Sequence, residues 1–205
     1  MALIKLNNKA VSNATAFGSI SSLGSMTFIK KLTASSSATL SFVDGASGVV
    51  LDDTYKEYVF TFKNIHPQTN NTSPTVGFRD GGTAYDAVKT TTAFRAYHNE
   101  ADSDTALQYN SGDDLAQSTA FQKLSTVCGN DNDKCYSGIM HLFNPSSTTF
   151  VKHFMIEGNV TDTSNYTIND FQAGYINTTT AIDGVQFKMS SGNIDSGVIK
   201  LYGVS

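Results

Sequence analysis

Hydrophobic and polar residues alternate along much of this chain with the period of two that is typical of β-strands. Near the C-terminus, Val185, Phe187 and Met189 alternate with polar residues, and a second alternating run, VIKLY, follows after the turn-like letters SSGNIDSG. Glycine, asparagine and aspartate in that stretch favour tight turns. The pattern therefore predicts that residues 181–205 form a hairpin whose last strand is held in a sheet.

Similar runs recur at short intervals upstream, with turn residues between them, which is typical of a sandwich or barrel. The predicted strands are 26–34, 38–43, 55–65, 92–98, 105–109, 119–127, 136–143, 149–157, 166–175 and the terminal pair. Residues 67–88 and 100–104 are expected to be irregular, and 113–121 is long enough for one helical turn. The prediction is an all-β fold, an antiparallel, jelly-roll-like β-sandwich.

Large apolar side chains on two of these strands are expected to form layers of the core, because alternate residues of a strand share a face. The two sets are Tyr58, Phe60 and Phe62, and Phe150, Phe154 and Ile156.

Residues 1–25 differ from the rest, because a short apolar patch is followed by small and polar residues. We expect an N-terminal attachment arm over 1–25 and one β-sandwich domain over 26–205. The arm carries five apolar residues that are predicted to bury against a neighbouring protein and to order on binding: Leu3, Ile4, Leu6, Val11 and Phe17.

Composition narrows the classes of partner. Only 16% of the 205 residues are charged and the net charge is -4, which disfavours the basic surface that nucleic acid requires. No apolar run is long enough for a membrane helix or a secretory signal, so neither membrane insertion nor export is expected.

The two cysteines flank a polar turn, and if that turn closes a hairpin, Cys128 and Cys135 are close enough for a disulfide. A protein made in reducing cytosol keeps free thiols instead, so both alternatives stay open. Two aspartate pairs, Asp131 with Asp133 and Asp102 with Asp104, have the alternate spacing of calcium loops, but neither continues into an EF-hand. We predict no metal and no cofactor.

Catalytic signals are weak. His98, Glu100 and Asp102 alternate, but the last two lie in an expected loop, while His141 and His153 interrupt apolar strands and are interpreted as hydrogen-bonded interior residues. No metalloprotease motif, nucleophile elbow or paired carboxylate spacing is present. The expectation is therefore that the protein is not an enzyme.

Aromatic rings offer apolar faces to sugars. Tyr85, Tyr97 and Tyr109 lie in or near the loop-rich middle of the chain and are the predicted glycan-binding residues, although the chain has no tryptophan.

Several segments carry a family resemblance. The opening MALIKLNNKAVSNAT resembles the N-termini of structural and fibre-like proteins of tailed bacteriophages. The segments SMTFIKKLTASSSATLSFVDG and YVFTFKNIHP resemble virion proteins of marine phages, and the closing SSGNIDSGVIKLYGV is similar to the same group. The resemblance carries no functional residue with it.

The resemblance implies a virion surface protein: a fibre, a tail appendage or a capsid decoration, assembled in the host cytoplasm. Its implied partners are other capsid or tail proteins and further copies of itself, a trimer among the forms expected. The alternative is a carbohydrate-binding module that recognises a glycan on the host surface.

Overall fold

The computed structural model describes residues 26–205, and the predicted arm, with Leu3, Ile4, Leu6, Val11 and Phe17, lies outside the described residues. Within 26–205 there is no helix, and the chain forms twelve strands. The strands are β1 (Met26–Ser37), β2 (Leu40–Val43), β3 (Glu57–Pro67), β4 (Pro74–Arg79), β5 (Lys89–Asn99), β6 (Thr105–Tyr109), β7 (Gln122–Lys123), β8 (Tyr136–Phe143), β9 (Lys152–Thr161), β10 (Tyr166–Ile176), β11 (Gly184–Met189) and β12 (Ile194–Val204).

These strands form two antiparallel sheets. The larger sheet has eight strands in the order β1-β12-β3-β8-β9-β10-β5-β6, and the smaller has four in the order β2-β11-β4-β7. The all-β prediction is therefore confirmed.

The core lies between the two sheets. Phe42 and Phe187 of the small sheet pack edge-on against Phe60 of the large sheet, with ring centroids 5.3 and 5.4 Å from it. Further along, the Phe78 and Phe154 rings pack in a tilted arrangement with centroids 5.1 Å apart. Because aromatic side chains of both sheets interlock in this way, the fold is a β-sandwich.

Buried and exposed residues alternate along the strands of the large sheet. In β9, Phe154, Ile156 and Val160 are buried, whereas Met155 and Glu157 between them are exposed. Every second residue of the large sheet thus faces away from the core. We call that side the outer face, and within the described residues no strand or sheet covers it.

The predicted C-terminal hairpin is wrong. β11 pairs with β2 and β4 in the small sheet, while β12 pairs with β1 and β3 in the large sheet. The segment between them crosses from one sheet to the other, and Gly192 adopts the positive φ of 71° that the turn requires. The last strand is paired on both sides, as expected.

Other boundaries also differ. β4 lies inside the region 67–88 that was expected to be irregular, because Pro74 at its start and Gly77 within it weaken the strand signal. Of the predicted strand 119–127, only Gln122 and Lys123 form a ladder, and 113–121 contains no helical turn.

The core layers are confirmed with one exception. Tyr58, Phe60 and Phe62 are buried, and so are Phe154 and Ile156. Phe150 is instead 69% exposed, because β9 begins two residues later and the ring precedes the sheet.

Candidate binding surfaces

Three exposed or half-exposed aromatic side chains form a line across the outer face. Tyr109 of β6 lies opposite Phe94 of β5, which lies opposite Phe171 of β10. The Phe94 and Phe171 rings are parallel, with centroids 4.9 Å apart and planes within 8°. We call these three residues the aromatic ridge. Because the two phenyl rings stack on one another, they stand side by side on the sheet.

An apolar recess of about 230 Å³ lies beside the ridge. Met155, which is 56% exposed, and Glu157 extend into this region from β9. His141 of β8 lies opposite Met155, and its Nδ1 is 2.5 Å from Glu57 Oε1, so the wall of the recess carries a polar pair. The recess combines an apolar floor with one acid–imidazole contact.

A wider and more polar groove of about 440 Å³ lies on the other side of the ridge. Its lining residues are Ala96, Tyr97, His98, Thr105, Ala106, Leu107, Asn159, Thr167 and Asn169. We call it the amide groove, because Asn159 and Asn169 lie opposite one another in its lining.

Hydrogen bonding within the amide groove is incomplete. The Asn159 amide donates to Thr167 Oγ1 at 2.9 Å and to the Ile168 carbonyl at 3.2 Å. The half-buried Asn169 side chain makes no hydrogen bond to any residue in the range 26–205. A primary amide carries two donors and an acceptor, so Asn169 offers these groups to a ligand.

A third pocket, of about 250 Å³, lies on the opposite side of the large sheet, near the ends of β5 and β10. Arg95 lies over the Tyr97 ring at 5.6 Å and donates to Thr126 Oγ1 at 3.1 Å. Tyr97 packs edge-on against Tyr166, whose hydroxyl is 3.0 Å from Asp104. The charged and aromatic groups here are largely engaged with one another, which makes this a structural network.

The three predicted glycan-binding tyrosines do not converge. Tyr109 is on the outer face and 56% exposed, with its hydroxyl donating to Asp114 at 2.5 Å. Tyr97 borders the amide groove, but its ring packs against Tyr166 in the pocket on the opposite side. Tyr85 lies beside Gly184 of the small sheet. Only Tyr109 has its side chain on the outer face. The position of a tyrosine near a loop in the sequence does not indicate which face of the sheet its side chain occupies.

The histidines are distributed differently from expectation. His141 is half-buried and bonded to Glu57, whereas His153 is exposed on the outer face against Tyr175, so its interpretation as an interior residue is wrong. His98 contacts Asp102 at 3.1 Å, and both side chains are at least half exposed. Within residues 26–205 no third histidine, cysteine, aspartate or glutamate converges on this exposed pair, as acid–base catalysis normally requires.

No group of three or more metal-ligating side chains converges within residues 26–205. Of the aspartates with calcium-like spacing, Asp131 pairs with Lys134 at 2.8 Å and Asp104 accepts from Tyr166. These carboxylates are therefore occupied by protein partners.

Cys128 and Cys135 are free thiols. The segment between them does not close a simple hairpin: Cys128 forms a bridge with Thr72, while the Cys135 carbonyl accepts from the Thr161 amide. Burial raises the pKa of the Cys128 thiol to about 12, with Cys135 adding to the effect. A buried thiol with so high a pKa is a poor nucleophile.

Burial shifts the pKa values of several ionisable side chains inside the sandwich. Lys89 and Lys152 flank Ile176 on neighbouring strands and are both fully buried. Lys152 donates to the carbonyls of Thr178 and Thr180, at 3.0 and 2.5 Å. Burial lowers its pKa, with Asp80 partly opposing the change.

Lys89 has fewer hydrogen-bond acceptors than Lys152, since its Nζ donates only to the Ala87 carbonyl within residues 26–205, at 2.8 Å. Burial lowers its pKa to about 8, with partial opposition from Asp86. Burial likewise raises the pKa of the Asp170 carboxyl to about 6, although the Thr126 amide donates to it at 3.0 Å and lowers it somewhat.

The residues that sequence reasoning missed are on the outer face. Phe94, Phe171, Leu107 and Asn169 lie on predicted strands, and Leu107 is 74% exposed. Alternation shows only which residues of one strand share a face: Phe94 lies on the same face as Ala96, and Asn169 on the same face as Phe171. The sequence does not indicate which of the two faces of each strand packs against the small sheet.

Comparison with known proteins found no matching family model, no matching curated protein and no matching solved structure. In the part of the chain that the structure describes, no helix is long and apolar enough to cross a membrane.

Proposed function

We propose that this chain is a non-enzymatic surface protein of a bacteriophage virion that uses the outer face of its large sheet as a binding surface. The virion context is supported by the resemblance of its N-terminal, central and C-terminal segments to phage structural proteins. The binding role is supported by the distribution of exposed apolar side chains.

That distribution carries the proposal. Seven large hydrophobic side chains are exposed among residues 26–205, and six of them lie on the outer face: Met26, Phe28, Phe94, Leu107, Tyr109 and Met155. The seventh, Phe150, precedes a strand. Exposed apolar groups concentrated on one face of a soluble domain typically mark an interaction site.

The N-terminal segment and the outer face have separate proposed roles. The N-terminal segment, residues 1–25, attaches the chain to the particle, and the outer face meets the target. The pockets support a binding role more than catalysis, since no group of three or more histidine, cysteine, aspartate or glutamate side chains converges at them within residues 26–205.

The test compares two single substitutions in the full chain. Phe94→Ser removes an exposed ring from the aromatic ridge, whereas Phe150→Ser removes an exposed ring outside the outer face and serves as the matched control. We expect both variants to enter particles normally, and only the Phe94→Ser particles to attach poorly to host cells. Equal attachment by the two variants would contradict the proposed role of the outer face.

A second comparison addresses the arm. A chain lacking residues 1–25 retains every strand and the whole core described above, so it is expected to keep its far-ultraviolet circular dichroism and yet to be absent from purified particles. Normal incorporation would refute attachment through this segment.

A further inference from the structure

We propose that the amide groove on the outer face binds an uncharged oligosaccharide. This inference rests on the proposed function, because it assumes that the outer face is the binding surface, and it adds the chemical class of the ligand.

The polar groups of the groove suit hydroxyl-rich ligands. A sugar hydroxyl both donates and accepts hydrogen bonds, and so do an amide side chain and a threonine hydroxyl. The Asn169 amide makes no hydrogen bond within residues 26–205. The Thr167 hydroxyl is paired with Asn159 and the Thr105 hydroxyl donates to the Tyr97 carbonyl, so these two oxygens can add acceptor lone pairs along the same face. The groove therefore offers donors and acceptors side by side.

Apolar groups border these polar ones. Leu107 lies at the sheet edge opposite Ala96, and Tyr109 and Phe94 continue the same border two residues along their strands. The C–H face of a sugar ring packs on exposed apolar and aromatic groups of this kind, while its hydroxyls reach the neighbouring polar groups. The groove volume of about 440 Å³ is within the range of ligand sites.

The arrangement favours a glycan over a protein partner. Protein interfaces usually have an apolar centre and a polar rim. Here one row across four strands runs from the apolar Leu107 and Ala96 to the polar Asn169 and Asn159, so the groove has no apolar centre enclosed by a polar rim.

The charge distribution favours an uncharged ligand. The lining contains no lysine, arginine, aspartate or glutamate. Lys63 of β3 is two strands beyond Asn159, about 10 Å, which is a full Debye length in physiological salt. Glu157 is closer, about 7 Å from Asn159 along the same face of β9. Arg95 is next to Ala96 in the chain, but its guanidinium lies over Tyr97 and donates to Thr126 on the opposite side of the sheet. An anionic glycan in the groove would thus approach the Glu157 carboxylate before it reached either cation.

The experiment is a binding survey with the full chain on an array of neutral and anionic oligosaccharides, followed by calorimetric titration with the neutral oligosaccharide that binds best. Two groove substitutions, Asn169→Ala and Leu107→Ser, are compared with matched controls outside the groove, Asn132→Ala and Phe150→Ser. Thermal unfolding establishes that each variant is folded. We expect each groove substitution to weaken binding at least about fivefold, as for the loss of a net hydrogen bond or apolar contact, and the controls to leave it unchanged.

The outcomes separate this inference from the proposed function. Saturable binding of a neutral glycan that falls only with the groove variants supports it. An array that is blank or binds only anionic glycans overturns it, and if Phe94→Ser still impairs attachment to cells, the outer face remains the binding surface for another partner. Neutral binding that is equal in all variants overturns the assignment of the site.

Discussion

Lys89 provides the sharpest test of the interior described here. Its side chain has no exposed surface and donates one hydrogen bond, to the Ala87 carbonyl. Burial lowers its pKa from 10.5 to about 8. Since one pKa unit corresponds to about 1.4 kcal/mol, keeping this amine protonated in the folded state costs about 3 kcal/mol at neutral pH.

The pH dependence follows from proton binding. Below pH 8 the folded and unfolded states both hold the proton, so the whole cost is present. Between pH 8 and 10.5 the unfolded state binds more protons than the folded state, and the stability of the wild-type chain therefore rises with pH. Above 10.5 both states are neutral and the cost is gone.

Lys89→Met removes the titrating group while retaining a flexible apolar side chain. The free energy of unfolding of the wild type, minus that of the variant, is expected to increase by about 3 kcal/mol from pH 7 to above pH 10.5. The lost bond to Ala87 shifts the difference equally at every pH, so the change with pH is the informative quantity.

The assay is urea unfolding followed by far-ultraviolet circular dichroism, because the chain has no tryptophan to report by fluorescence. Lys31→Met, which removes an exposed lysine of β1, is the matched control and should give the same difference from wild type at both pH values. If the difference in free energy of unfolding between the wild type and Lys89→Met does not change between pH 7 and 10.5, the conclusion that Lys89 is buried with a lowered pKa is refuted.

Two further predictions concern the same interior. Asp170 is buried and its pKa is raised to about 6, so keeping it ionised in the folded state costs about 3 kcal/mol at pH 7, and this cost disappears below pH 3.8. Relative to Asp170→Asn, the free energy of unfolding of the wild type in urea should therefore increase by that amount as the pH falls from 7 to 3.5, and a difference that stays constant would contradict the prediction. Gly158 lies under the Tyr136 ring, where an added Cβ would come within 2.6 Å of Cζ, so Gly158→Ala should lower the free energy of unfolding by about 1–3 kcal/mol or more. The control Gly82→Ala should change it little, because the nearest atom to a Cβ at that position is 4.0 Å away. Equal effects of the two substitutions would show that the ring can move aside.

Much of the fold followed from local patterning. The bounds of β6 and β8 match the predicted strands 105–109 and 136–143, since both carry regular alternation with clear turn residues on each side. β4 escaped prediction because a proline and a glycine interrupt a strand of only six residues. The jelly-roll connectivity stays a prediction.

The candidate site was harder to predict. Tyr97 and Tyr109 lie on adjacent strands, but Tyr97 pairs with Ala106 on the core side and Tyr109 with Phe94 on the outer side. Both have the same local signal in the sequence, an aromatic residue in a strand near a loop. Only the pairing register separates them, because neighbouring residues of a strand point to opposite faces.

The amino-acid sequence by itself determined the class of fold, the approximate strands and the apolar layers, because a strand buries every second side chain wherever it pairs. The tertiary structure decided how the strands were shared between sheets. It sent β11 and β12 to opposite layers although they are neighbours in the chain. It also left one face of the eight-stranded sheet without a covering layer among residues 26–205, which assembled Phe94, Leu107 and Asn169 from three strands. These are long-range contacts, and their partners cannot be read from any local window of sequence.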